Sequence, residues 1–306
     1  MKTVLITGGT GLVGKALTAA LVKKGYSVIV LSRKKNTRTN TDSKIEFAQW
    51  DIDKQYIDIA AVQKADYIIH LAGAGVVDKK WTDAYKAEIQ NSRTLSSKLL
   101  INTLREYTNK VKVVVSASAI GWYKPTATIH TEEEAADDSF LGATCKLWED
   151  SVQPFTALNK RLVTYRIGIV LSTNGGALAE FIKPIRLGIA AILGNGKQIV
   201  SWIHIDDLCN LFINAIENEH LAGTYNAVAP APASNKELTL LLAKKIKGRF
   251  FIPLHVPGFV LKIMMGDRSI EVLKSNEVSS NKIQQTGFKF LYNTCEEAVE
   301  NLCQEA

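Results

Sequence analysis

Thr7-Gly8-Gly9-Thr10-Gly11-Leu12-Val13-Gly14 is the stretch on which the fold turns. Before it lies a short apolar run, Thr3–Thr7. After it, Leu12–Lys24 repeats apolar residues at helical spacing until Gly25 stops the pattern. A second apolar run, Tyr26–Leu31, comes next. Strand, glycine turn, helix and strand make the βαβ unit that cradles a dinucleotide pyrophosphate. Gly8, Gly11 and Gly14 let the chain turn sharply, approach a phosphate closely and pack helix on strand. The amides at the helix start, over Thr10, Leu12 and Val13, then face the negative charge.

The end of the second run bears on which dinucleotide is bound. An Asp or Glu there would hold a ribose 2′-hydroxyl; the chain carries Ser32-Arg33-Lys34-Lys35 instead. A guanidinium forms charge-assisted bonds with a 2′-phosphate, so NADP is expected over NAD. The alternative is a solvated basic loop. Asp51, closing the run Ile45–Trp50, either meets the adenine or forms a turn with Asp53. Small residues at Leu71-Ala72-Gly73-Ala74-Gly75 leave room at a sheet edge.

Outward from this unit, strands and helices alternate. Strands are expected at Tyr67–Leu71, Lys112–Ser116 and Val163–Ile169, with helices at Tyr85–Leu104, Lys146–Leu158, Leu178–Leu187 and Asp206–Glu217. Alternation predicts an α/β, Rossmann-type, doubly wound parallel sheet. The expected organisation is a cofactor domain over 1–235, with substrate-side segments inserted at about 172–200, and a small C-terminal substrate-side domain over 250–302. Within the latter, Val260, Leu261, Ile263, Met264 and Met265 at helical spacing read as core, and the stretch from Phe250 to Leu302 is expected to pack over the substrate cleft. Ile203-His204-Ile205 looks exposed by position, and His204 reads as a structural, hydrogen-bonded histidine.

Of the 306 residues, 46% are hydrophobic and 22% charged, which suits a globular enzyme. No run reaches the ~20 apolar residues of a membrane span, so a cytoplasmic protein with no membrane partner is expected. The net charge of +7 is spread along the chain rather than gathered into a stripe, which argues against nucleic acid. Arg186 and Lys197 either bind an acidic substrate or are solvated. Cys145, Cys209, Cys295 and Cys303 lack CxxC spacing, so neither disulfide nor metal is expected.

The chain resembles the extended short-chain dehydrogenase/reductases, the NAD-dependent epimerase/dehydratase group. More closely it resembles an atypical branch, the epimerase-family proteins with a C-terminal domain of unknown function. Thr7–Gly14, Ser32-Arg33, Leu71-Ala72-Gly73, Trp81-Thr82, Ser92-Arg93, Ser116–Tyr123, Trp148-Glu149, Gly194–Gln198, Trp202-Ile203-His204 and Asn226–Pro230 carry the likeness, in that order. It implies that Ser32 and Arg33 hold the NADP 2′-phosphate and that Leu71 and Ala72 line the groove. Glu88 and Arg93 would face the cofactor; read from the residues alone, they are equally a surface ion pair. A homodimer through paired long helices is implied as well.

Ordinary members use a Ser, and a Tyr and Lys four apart on one helix face. Ser118 matches the Ser, with Ser116 the alternative. No YxxxK exists: Lys146 has Gly142 four residues before it, and the alternative register sets Cys145 after Leu141. Tyr123 is the nearest substitute phenol or else a half-buried rim aromatic; Lys146 and Cys145 are further candidates. The expectation is an NADP-dependent oxidoreductase or epimerase-like enzyme acting on a small polar substrate, a nucleotide sugar among the candidates. The alternative is an NADP(H)-binding regulator or scaffold of weak catalytic power.

Overall fold

The computed structural model describes residues 1–33 and 43–304. Lys34 and Lys35 lie outside the described residues. The first half runs β1 (Thr3–Thr7), α1 (Leu12–Lys23), β2 (Ser27–Ser32), β3 (Ile45–Asp51), β4 (Tyr56–Ile57), α2 (Ile59–Lys64), β5 (Tyr67–His70), α3 (Asp83–Glu106) and β6 (Val113–Ala119). It continues with α4 (Phe140–Val152), α5 (Pro154–Ala157), β7 (Arg161–Ile167), β8 (Ile169–Leu171), α6 (Ala177–Arg186), β9 (Ile189–Leu193), β10 (Ile199–Val200) and β11 (Trp202–His204). The remainder is α7 (Ile205–Glu217), β12 (Gly223–Ala227), β13 (Ala233–Ser234), α8 (Asn235–Lys247), β14 (Ile252–Val256), α9 (Gly258–Met265), α10 (Ser269–Leu273), α11 (Asn281–Gln285) and α12 (Cys295–Gln304).

Eight strands form the main sheet in the order β12-β7-β6-β5-β1-β2-β3-β4. All of its neighbours are parallel except β3 and β4. The winding reverses between β1 and β5, so the chain leaves these two strands in opposite directions and opens a crevice at their carboxyl ends. Strand alternation fills both faces. Val4, Ile6, Val28, Val30, Val113 and Val115 join α1 and α7 through Leu17, Leu21, Leu208 and Phe212. Leu5, Ile29, Leu31, Ile68 and Val114 join α3 and α5 through Leu100, Leu104 and Phe155. Such two-sided burial explains why these strands read as near-continuous apolar runs.

A separate core ties the last helix down. Leu178, Ile185, Leu238, Leu242, Val299 and Leu302 pack α6, α8 and α12 together. Ile283 and Phe290 insert into the main core. Buried Asp207, on α7, accepts the amides of Leu291 and Tyr292 at 2.7 and 3.1 Å; burial pushes its carboxyl up to about 6. The C-terminal stretch is therefore pinned to the sheet by apolar contacts and by one carboxylate.

Most expected elements lie within a residue or two of their places. The helix expected from Lys146 starts at Phe140, because Ser139 caps it by accepting the Gly142 amide, and Pro154 opens the short helix that follows. Strand β6 runs on past Ser116 to Ala119 because its last residues keep pairing with β7 through Ile167. Trp202, Ile203 and His204 are buried rather than exposed, since β11 pairs with β8 inside the molecule. His204 caps α7: its Nδ1 accepts the Asp206 amide at 3.1 Å.

At the sheet's carboxyl edge, the Thr7 hydroxyl meets His70 Nδ1 at 2.8 Å and His70 Nε2 meets Ser97 Oγ at 3.1 Å, all buried. Burial, reinforced by the nearby Arg93 charge, pulls the His70 pKa from 6.5 to about 4. The unfolded chain therefore takes up this proton near pH 6.5 while the folded one resists it. Stability should fall between pH 6.5 and 4, by roughly 3 kcal/mol on this account. Urea midpoints at neutral and acid pH should show that loss in the wild type and a smaller one in His70→Asn. Equal losses in both proteins would remove His70 as the cause.

Candidate cofactor and active site

The turn after β1 is built from close backbone contacts. Gly8 has φ +69°, and a Cβ there would lie 2.8 Å from the Leu71 carbonyl. The Gly11 amide closes the turn onto Gly8 O at 3.0 Å. At Gly14 a Cβ would collide with Gly8 O and stand 2.5 Å from Gly9 Cα, so α1 sits directly on the turn. Gly11 caps α1 without a side-chain hydrogen bond. The first-turn amides therefore receive no side-chain cap, and Thr10 and Gly11 are exposed while Leu12 and Val13 are half-buried. Thr7 Oγ1 accepts the amides of Leu71 and Ala72, both at 3.1 Å, and so locks the ends of β1 and β5 together.

Beneath the next residue lies a guanidinium. Arg93, on α3, is 8% exposed; it donates to the carbonyls of Ile89 and Ala74 at 2.8 and 3.1 Å and stacks over Trp148 at 4.6 Å. A Cβ at Gly73 would come within 3.0 Å of it, so Gly73 opens the sheet edge onto this charge. Burial lowers its pKa. Among the described residues no carboxylate pairs with it. A cation this buried calls for an anion.

Around the crevice the remaining residues divide. Ser32 ends β2 half-buried, and Arg33 follows it exposed. Asp51 Oδ1 accepts the amides of Asp53 and Lys54, both at 3.1 Å, and so forms the turn into β4. Glu88 lies on the solvent side of α3, paired with Lys79 at 3.2 Å. Leu71 is half-buried and Ala72 buried at the groove edge. Arg186 and Lys197 are both exposed.

Ser118 heads a second buried network. Its hydroxyl donates to Glu149 Oε1 at 2.7 Å, and Glu149 takes a forked pair of bonds from Arg166 at 2.9 and 3.0 Å. Arg166 also donates to Tyr123 Oη at 3.1 Å, and Tyr123 donates to Asn226 Oδ1 at 2.6 Å. Burial pushes the Tyr123 phenol up to about 12 despite the Arg166 charge beside it. Burial opposes the Arg166 charge, but Glu149 more than offsets it and the pKa is raised. The guanidinium also lies 3.6 Å over the Trp122 ring.

Helix α4 settles its own register. Leu141, Cys145 and Glu149 are buried, whereas Lys146 is exposed and paired with Asp150. The structure thus joins Ser118 and Tyr123 through Glu149 and Arg166 and leaves Lys146 on the other side of the helix. Burial pushes the Cys145 thiol up to about 11, so it stays neutral. A cavity of about 60 Å³ opens nearby between Trp81, Ser139, Phe140 and Leu141 and the Ile270, Glu271 and Lys274 of the C-terminal stretch. Lys274 and Glu271 pair there at 2.6 Å, both mostly buried.

Sequence reasoning missed Arg166 and the pairing of Glu149. A signal existed: Arg166 is the charged residue in the middle of an otherwise apolar strand end, and a buried guanidinium needs a carboxylate. Among the described residues, no three His, Cys, Asp or Glu side chains cluster as a metal site.

Comparison with known proteins is consistent with this layout. A model of the NAD dependent epimerase/dehydratase family matches residues 4–227, and one of a domain of unknown function (DUF1731) matches 256–302. An epimerase family protein of Staphylococcus aureus (strain N315) is 34% identical over 307 residues, covering 100% of both chains. The crystal structure of the human epimerase family protein SDR39U1 with NADPH shares 27% identity and a TM-score of 0.87, covering 99% of this chain and 100% of that one. A nucleoside-diphosphate sugar epimerase of Corynebacterium glutamicum is 30% identical with a TM-score of 0.77, covering 99% of this chain and 58% of its own.

Breaking the Glu149–Arg166 pair should test how the second network is held. Glu149→Gln or Arg166→Met alone should each cost about 3–5 kcal/mol in urea unfolding, because each strands a buried charge or donor. The double variant should cost less than the sum of the two. Strict additivity would mean the pair is not coupled.

Proposed function

The chain belongs to the NAD-dependent epimerase/dehydratase family, and on that premise we propose that it binds NADP(H) and transfers a hydride at a small polar substrate beside Ser118. One observation carries the proposal: Arg93 is a buried cation with no carboxylate partner among the described residues, opened by Gly73 onto the crevice where β1 and β5 diverge. The uncapped start of α1 lies at the same crevice, so both features suit a pyrophosphate. Arg33, standing where an acidic residue would favour NAD, suits a 2′-phosphate. The human relative named above was solved with NADPH.

When bound, the nicotinamide supplies or receives the hydride. The chain's own residues must then handle the proton without a tyrosine–lysine pair. Ser118 already gives its proton to Glu149, so it meets a substrate hydroxyl as an acceptor. As the substrate O–H yields its proton to Ser118 Oγ, the Ser118 proton moves to Glu149 Oε1; the reverse path serves reduction. Arg166 orients Glu149, and Tyr123 with Asn226 orients Arg166. In this scheme Tyr123 is a positioning residue, and Lys146 has no part. The pocket between Trp81, Phe140 and Lys274 borders the substrate side, and its ion pair suits a polar group. A nucleotide sugar is the substrate class we favour.

A second reading follows from one feature: the Ser118 and Tyr123 hydroxyls are almost fully buried and already bonded. That arrangement would also serve a cofactor-binding regulator. Tight NADPH binding with no oxidation across a broad panel of carbonyl compounds would favour the regulator.

Calorimetry should find NADP bound more tightly than NAD, with Arg33→Glu reversing the order through a loss of roughly tenfold or more in NADP affinity. An unchanged preference would refute the role of Arg33. Ser118→Ala should lower turnover by about a hundredfold while leaving NADPH affinity intact. Undiminished turnover would refute the proton path.

A further inference from the structure

Two segments of the chain contain no Asp or Glu. Residues 181–205 carry Lys183, Arg186 and Lys197, and residues 238–266 carry Lys244, Lys245, Lys247, Arg249 and Lys262. The fold brings the two together, since β9 and β14 pair in parallel as a sheet of their own, with Ile252 opposite Ile189. Among the described residues, Lys183 and Lys245 have carboxylate partners, whereas Arg186, Lys247, Arg249 and Lys262 form no ion pair.

The side chains exposed at the start of these strands are large and apolar. Leu187 is 82% exposed, Phe250 87% and Ile252 70%, with Ile189 and Leu254 beside them in the sheet. The next helix, α9, buries Leu261 and leaves Phe259, Ile263 and Met264 in solvent. That helix follows the far end of β14, so the apolar groups at the strand starts are Leu187, Phe250 and Ile252; a monomer rarely leaves large apolar neighbours of this kind uncovered.

Charge and hydrogen bonding narrow what could cover this face. A second copy related by a twofold axis would set cations against cations. Strand addition is obstructed too. The Ile252 amide donates inward to Gly188 O, so position 253 points to the free edge, and there Pro253 has no N–H to offer. An apolar tip ringed by unpaired cations instead matches a bilayer interface, apolar below and negatively charged at its head groups.

We propose that this face docks the protein onto an anionic membrane surface. Leu187, Phe250 and Ile252 enter the interface, and Arg186, Lys247 and Arg249 meet the lipid phosphates. The protein lies on the bilayer and does not need to span it; among the described residues no helix is long and apolar enough to cross one. The face is separate from the candidate active site. Leu273 of α10 would be touched by a Cβ at Gly194 or Gly258, so α10 sits at the carboxyl ends of β9 and β14, whereas the docking residues cluster at their starts.

Cosedimentation of the full chain with vesicles tests this. Vesicles of phosphatidylglycerol and phosphatidylcholine in equal parts should pellet the protein at about 0.15 M salt, and higher salt should release it. Vesicles of phosphatidylcholine alone should leave most of it in solution. Phe250→Ser with Ile252→Ser, and separately Lys247→Glu with Arg249→Glu, should each lower partitioning roughly tenfold. These residues are at the surface, and circular dichroism would verify that the variants fold. No pelleting at millimolar lipid, or equal pelleting of variants and wild type, would overturn the proposal. So would sedimentation velocity showing a dimer that Phe250→Ser with Ile252→Ser dissociates, since the face would then be a subunit interface.

Discussion

Helix α1 lies so close to the end of β1 that the Gly14 position cannot hold even a methyl group without striking the backbone of Gly8 and Gly9. That approach fixes where the helix starts and which way its first amides point. It also places them at the crevice where the sheet reverses its winding, between β1 and β5. Thr7 closes the arrangement from below by accepting the amides that begin the next loop. Positive potential then accumulates from two sources, the helix start and the buried Arg93 guanidinium. No carboxylate among the described residues relieves the latter.

Two buried polar networks flank this crevice and divide its work. Thr7, His70 and Ser97 are buried, hydrogen-bonded and close to electrically neutral, because burial holds the imidazole unprotonated at ordinary pH. Ser118, Glu149, Arg166, Tyr123 and Asn226 form a buried chain built around the Glu149–Arg166 ion pair, with Ser118 at one end and Asn226 at the other. The contrast accounts for the loss of the tyrosine and lysine expected on α4. With Leu141 and Cys145 facing inward, that helix brings packing to the site, while the carboxylate one turn further on, Glu149, accepts the Ser118 hydroxyl. The C-terminal stretch completes the enclosure from the opposite side, held by Asp207 at one end and reaching Trp81 through α10.

Much of this was legible in the sequence because local rules decided it. Buried strands such as the one read at Tyr67–Leu71 show as apolar runs, and the glycines of the first turn have a backbone reason that no other residue satisfies. Arg33, Gly73 and Arg93 could be singled out from the sequence as candidates, although their charge balance could not. What resisted was contact between distant elements. Nothing local to Glu149 or Arg166 shows that they face each other, and the register of α4 stayed open until Lys146 proved exposed and Cys145 buried. His204 looked exposed because its pairing partner, β8, is not its neighbour in sequence.

If an anion is what Arg93 lacks, Arg93→Met should behave unlike most substitutions of a buried residue. Urea unfolding of the cofactor-free protein should show it as stable as the wild type or more so, because an uncompensated buried charge has been replaced by an apolar side chain. NADPH should then raise the melting temperature of the wild type and leave that of the variant almost unmoved. A variant that is severely destabilised without cofactor, yet stabilised by NADPH as fully as the wild type, would contradict the account.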